Sequence, residues 1–255
     1  MSGQKTAPES HGALGIVDYG IGGLGTYRAI KARADIPVIY FSDAGFTPYG
    51  KLLMPALRAR LYRIFDFLHA QGAQYIAVAC NAASCALPKD EHVEGIIKHG
   101  ARAVRDSGLR HVGLIAGERT VRSGAYRRAL QEDAITLTQR IAQPLSLHVE
   151  AGRLNGSALR IDLEHILNPL RNCQAILLAC THYPAIARHI QACLHPDTLL
   201  LDPSLNLAEW IVENWNFEPG NTPDRWFTSG DPIKLAANGR RAFGVTARNP
   251  VHTTL

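Results

Sequence analysis

The chain has 255 residues, 46% hydrophobic and 19% charged, with a formal net charge of +5, enough for one large domain or two small ones with a real core. No run reaches the apolar length of a transmembrane helix, and neither the scattered basic residues nor any aromatic–basic motif marks a nucleic-acid surface, so neither membranes nor nucleic acids are expected as partners. Five cysteines without a disulfide-like framework point to free thiols in a reducing cytoplasm.

In chain order, residues 1–11 read as a loose polar leader without a signal core. Residues 14–18 form an apolar strand, followed by a glycine-rich loop and a helix over 26–34. A strand over 38–42, a helix over 52–70 with apolar residues at helical spacing and a strand over 74–79 follow, then a helix over 93–107. The pattern restarts with strands over 112–115, 145–149 and 175–179, separated by helices over 121–130 and 158–170. Arg119, Arg122, Arg127 and Arg128, the densest basic group, lie just before and on the first of these helices and read as a solvated face. The tail adds residues 199–202, a helix over 205–215, a strand over 225–228 and a helix over 232–242. Such alternation predicts α/β architecture with mainly parallel sheets flanked by helices.

The two runs read as a duplication. Residues 13–18 match 111–116, and the strand ending in Cys80 matches the strand ending in Cys180. Asp43 and Glu150 are expected to end the two middle strands. The expected arrangement is two pseudo-symmetric domains facing each other across a cleft, the first from 12–106 and 212–255, the second from 107–211.

Three segments can carry chemistry. Gly20, Gly22 and Gly25 satisfy G-x-G-x-x-G after a strand, and Asp43 stands about where a ribose-binding acid would lie. A nicotinamide-dependent oxidoreductase is therefore a rival reading, although Asp18 beside the loop would repel a pyrophosphate. Pro48, Tyr49 and Gly50 fix an irregular turn whose amides could hold a carboxylate. Cys80 and Cys180 each end a buried strand before a polar loop and a helix start, a position that favours thiolate. His182, two residues beyond Cys180, could relay its proton. Cys85, Cys173 and Cys193 read as packing. No C-x-x-C or ligand-spaced histidine pair occurs, so no metal site is expected.

The runs Asp18-Tyr19-Gly20-Ile21-Gly22-Gly23, Pro48-Tyr49-Gly50, Ala79-Cys80-Asn81, Thr120-Val121-Arg122-Ser123-Gly124-Ala125-Tyr126 and Ala179-Cys180-Thr181-His182-Tyr183-Pro184 together resemble glutamate racemase, within the aspartate/glutamate racemase superfamily. The resemblance spans about residues 15–231. It implies two α/β domains with the active site between them, no cofactor, an amino-acid substrate, commonly a homodimer, and supply of a cell-wall (peptidoglycan) precursor. It also implies that Cys80 deprotonates the D form, with Asp18 assisting, and Cys180 the L form, with His182 assisting. Asn81, Thr181 and the Tyr49–Gly50 amides are candidates to hold substrate carboxylates, and Thr120 and Glu150 match positions near the site. The chemistry agrees: inverting an α-carbon needs an acid/base group on each face.

Three positions depart from the family pattern. Tyr19 stands for a serine, Ala82 for a threonine, and Ala116-Gly117 for a glycine–threonine pair. Each missing buried hydroxyl, uncompensated, costs roughly 1–3 kcal/mol. The expected consequence is a reshaped pocket, with the Tyr19 hydroxyl replacing a lost one or with a different substrate for a superfamily racemase or epimerase. A non-catalytic ligand-binding homologue is the remaining alternative.

Overall fold

The computed structural model describes residues 12–87, 90–217 and 222–255; the expected leader, 1–11, lies outside them. The elements alternate as the hydrophobic pattern requires. β1 (Ala13–Asp18) is followed by α1 (Leu24–Lys31), β2 (Val38–Ser42), α2 (Met54–Ala70), β3 (Ala73–Val78), α3 (Asn81–Ser84), β4 (Val93–Gly95) and α4 (Ile96–Asp106). The second run comprises β5 (His111–Ala116), α5 (Glu118–Ser123), α6 (Ala125–Ala129), β6 (Thr136–Ile141), α7 (Gln143–Glu150), α8 (Ser157–Leu167), β7 (Ala175–Ala179), α9 (Ala187–Ala192) and β8 (Leu199–Leu201). The tail adds α10 (Pro203–Asn214), β9 (Arg225–Thr228), α11 (Pro232–Phe243) and β10 (Val251–His252).

Two sheets result, ordered β10-β9-β2-β1-β3-β4 and β6-β5-β7-β8. Every strand pair is parallel. The segment β2-β1-β3-β4 repeats the order of β6-β5-β7-β8, so the duplication read from strand spacing is real at the level of topology. β1 and β7 are wholly buried runs, as strands covered on both faces must be. One continuous core runs from Leu14 and Ile16 in β1, through Leu207 and Ile211 in α10, to Ile176 and Leu178 in β7. In the tail, β8 extends the second sheet beside β7, and β9 and β10 extend the first beside β2.

Three expectations fail for local reasons. Residues 145–149 form helix α7, not a strand; the middle strand is β6, and Glu150 therefore ends a helix. Leu145, Leu147 and Val149 alternate with polar residues, which mimics a strand, but Leu145, Ser146 and Val149 are buried at helical spacing while Leu147 is exposed. Pro144 starts the helix, where its missing N–H costs nothing. β6 escaped notice because it is a polar edge strand. The expected helix over 93–107 begins with β4, and that over 121–130 breaks at Gly124, which adopts φ +65°.

The loop after β2 is pinned by a buried ion pair. Arg60 of α2 donates to both Asp43 oxygens, at 3.0 and 2.6 Å, and its guanidinium lies 4.2 Å from the centre of the Phe46 ring. Tyr49 and Ser229 hydroxyls complete the Asp43 shell at 2.9 and 2.7 Å. Asp43 has no capacity left for a ribose, contrary to the dinucleotide reading. Arg60→Ala strands Asp43 as a buried, uncompensated charge and is expected to cost about 3–5 kcal/mol, read as unfolding free energy in urea; a loss of only about 1 kcal/mol, typical of a surface pair, would refute this role.

Candidate active site

β3 and β7 flank the central strands β1 and β5 at matching places in the two sheets. Cys80 and Cys180 follow directly, at the carboxyl ends where open parallel sheets present their ligand sites. Both thiols line one cavity of 290 Å³ between the two sheets. Every other site residue expected from the sequence lines it as well, except Asp18 and Glu150, which lie behind its wall.

The surroundings of the two thiols differ. Cys80 is buried, and the backbone amides of Tyr19 and Ala83 point at its sulfur. Burial first, and the neighbouring Asp18 second, push its thiol well above the ordinary range. The thiolate-favouring helix start expected there is thus outweighed by desolvation. Asp18 is itself completely buried; it accepts from the Gly20 amide at 3.1 Å and from the Thr181 hydroxyl at 2.8 Å. Burial raises its carboxyl despite these bonds.

Cys180 Sγ lies 3.7 Å from His182 Nδ1, and His182 Nε2 lies 2.6 Å from Glu150 Oε2. The result is a thiol–imidazole–carboxylate chain. Burial opposes charge on His182, but the bonds and attraction from Cys180 and Glu150 prevail and hold the ring well above its ordinary value. Burial likewise opposes charge on Glu150, and the His182 bond outweighs it, lowering the carboxyl. Both directions describe an imidazolium–carboxylate pair. Glu150 faces His182 rather than the cavity; its placement at the end of α7, not of a strand, makes this possible.

The glycine loop serves close approach, not a pyrophosphate. A Cβ at Gly20 would stand 2.2 Å from Glu150 Oε2, and one at Gly22 would stand 2.3 Å from Thr181 Oγ1. The space before the loop is filled by the second sheet's own residues, and Ile21 N donates to Glu150 at 3.1 Å.

The remaining wall can receive an anion. Asn81 is buried; its Oδ1 accepts from the Tyr126 hydroxyl at 2.7 Å, leaving Nδ2 without a partner among the described residues. Thr181 spends its hydroxyl proton on Asp18. Tyr19 presents its ring, packed edge-on to Tyr49, while its hydroxyl donates to the Phe46 carbonyl at 3.2 Å. Burial pushes that phenol up to about 12, and its proton is committed outside the role of a lost serine. Near Gly117, Gln143 Oε1 lies 3.0 Å from where a Cβ would stand, so a glutamine amide fills the place of the absent threonine. Sequence reading missed Gln143, Ser146, Lys51 and Arg119, which all line the cavity. Arg119 is not part of a solvated face: its Nε donates to the Tyr49 carbonyl at 2.7 Å, and its guanidinium also reaches the Leu52 carbonyl. Its position immediately before Thr120 at the start of α5 was the available signal.

No protein-family model matches the chain. It is similar to curated glutamate racemases. One from Desulforudis audaxviator is 36% identical over 208 residues, covering 76% of this chain and 75% of its own. One from Gloeobacter violaceus is 34% identical over 243 residues, covering 88% and 89%. The crystal structure of glutamate racemase from Thermus thermophilus, in complex with beta-chloro-D-alanine, superposes with a TM-score of 0.85 at 29% identity, covering 96% of this chain and 98% of that one.

The Glu150–His182 pair carries a pH signature. Raised His182 contributes fully below the unfolded histidine value of about 6.5, and its share is lost as pH rises through the higher folded value. Lowered Glu150 contributes fully above the unfolded value of about 4.3 and is lost as pH falls through the folded one. Urea unfolding of wild type and Glu150→Gln across pH should therefore give a stability difference that peaks between those two unfolded values. A difference independent of pH would contradict the ion pair.

Proposed function

We infer the reaction from one premise: the chain belongs to the glutamate racemase family. It racemises glutamate, interconverting the L and D forms by moving the α-proton from one face to the other. The observation that carries this reading is the pair of thiols, one from each sheet, lining a single cavity. At 290 Å³ that cavity falls at the small end of ligand pockets, which run from about 300 to 1,000 Å³. It suits an amino acid and is too small for a dinucleotide.

Starting from L-glutamate, Cys180 as thiolate takes the α-proton and Cys80 as thiol returns one to the opposite face. Burial and Asp18 keep the proton on Cys80, and His182 stands 3.7 Å from Cys180. In the reverse direction Cys80 must first lose its proton. Asp18, whose carboxyl is raised by burial, is suited to take it up. Glu150 keeps His182 oriented and charged. Positioned acid/base groups supply about 10²–10⁴-fold. Electrostatic stabilisation of the carbanion in a water-poor cavity supplies the remainder, and the unpartnered Asn81 Nδ2 and the Tyr49–Gly50 backbone are the groups that meet the carboxylates. No cofactor takes part in this sequence. By the same family resemblance the enzyme works as a homodimer in the cytoplasm and feeds cell-wall synthesis.

The decisive measurement incubates each glutamate enantiomer in D₂O and follows α-deuteration together with optical rotation. Cys80→Ser and Cys180→Ser are each expected to abolish racemisation; normal turnover in either variant sinks the two-thiol mechanism. Tyr19→Ser/Ala82→Thr, which restores two family hydroxyls beside the cavity, is expected to lower KM for glutamate by about 5–100-fold, the worth of a recovered buried hydrogen bond. An unchanged KM would mean that these positions do not set affinity.

A further inference from the structure

We propose that Arg119 is the residue that recognises the substrate's side-chain carboxylate, replacing the small hydroxyls absent at positions 19, 82 and 117. This rests on the glutamate reading above and names the group that makes an acidic side chain preferred.

Three observations converge on Arg119. First, it is a half-buried cation in the cavity wall whose charge is unmatched. Arg60, Arg102, Arg105 and Arg122 each pair with a carboxylate, whereas Arg119 has no such partner among the described residues. The adjacent carboxylate, Glu118, is drawn away to Arg122 at 2.8 Å. Second, Arg119 is held in place without being used up. Bonds to the Tyr49 and Leu52 carbonyls engage two of its five N–H donors. The rest of the fork stays available, and the planar group is already oriented, so little rotamer entropy is lost on binding. Third, it lines the same cavity as Cys80 and Cys180 and joins α5 to the loop over residues 49–52. A substrate held with its α-carbon between the sulfurs shares that cavity with this guanidinium.

The lost hydroxyls then have a physical substitute. Tyr19 has committed its hydroxyl proton to Phe46, Ala82 has no polar group, and the place of a residue-117 side chain is taken by Gln143. A guanidinium meets a carboxylate through two parallel N–H bonds with charge on both partners, so one arginine can stand in for several small hydroxyls. The same side chain ties the helix after β5 to the loop after β2.

The test uses the full chain with L-glutamate and its neutral isostere L-glutamine, reading KM, kcat and α-deuterium exchange in D₂O for wild type, Arg119→Met and Arg119→Lys. Arg119→Met is expected to raise KM for glutamate about 30-fold, the worth of a hydrogen bond to a charged group, with kcat and the slow exchange of glutamine little changed. Arg119→Lys recovers part of the loss, because it restores a charge without the fork. An unchanged glutamate KM in Arg119→Met overturns the proposal. So does an equal loss of kcat/KM for glutamate and glutamine, which would reduce Arg119 to a structural tie. A wild-type protein that exchanges no glutamate overturns the functional reading itself, a result distinguishable from failure of the variant alone.

Discussion

A buried seam between the two sheets holds the site together. The loop after β1 lies so close to Glu150 and Thr181 that a Cβ at position 20 or 22 would overlap them. Across that contact Thr181 donates to Asp18, and Ile21 donates to Glu150. These bonds join groups more than 120 residues apart in the chain and are sheltered from water, where an unmade bond is expensive. The seam brings Asp18 and His182 to the boundary, where the two thiols line one cavity. It also explains why a glycine pattern typical of phosphate loops occurs where no phosphate has room.

The duplication supplies two equivalent strand ends, but the sheets do not treat their thiols equally. Cys80 sits against a buried carboxyl and is held as a thiol. Cys180 sits beside an imidazolium braced by Glu150. A reaction that moves a proton from one face of a carbon to the other needs one acceptor and one donor at the outset. Matching topology places two thiols with different neighbours around one small cavity, the arrangement on which the proposed reaction rests.

Several elements were legible in advance because their signals are local. The apolar runs that end at Cys80 and Cys180 announce buried parallel strands, and Asp18 and His182 are chain neighbours of the glycine loop and of a thiol. Other elements misled because local pattern and tertiary role diverge. Residues 145–149 alternate like a strand, yet Pro144 and the burial of Leu145 with Val149 make them a helix. β6 is polar because it is an edge strand, and so gave no hydrophobic signal. Arg119 belongs to a basic cluster and looks solvated until the opposing loop supplies its carbonyl partners.

The sequence by itself determined the α/β class, the repeated strand–helix unit, the two thiols and the family to which they belong. The class and the repeat follow from periodicity, and the family follows from the resemblance of the motifs around the two thiols; the order of residues encodes both directly. Only the tertiary structure decided that Glu150 bonds His182, that Asn81 Nδ2 has no partner among the described residues, and that Gln143 and Arg119 line the cavity. Such roles depend on which distant surfaces meet and on how much water they exclude. The burial that raises Cys80 and the partner that charges His182 exist only once the two sheets have closed on each other.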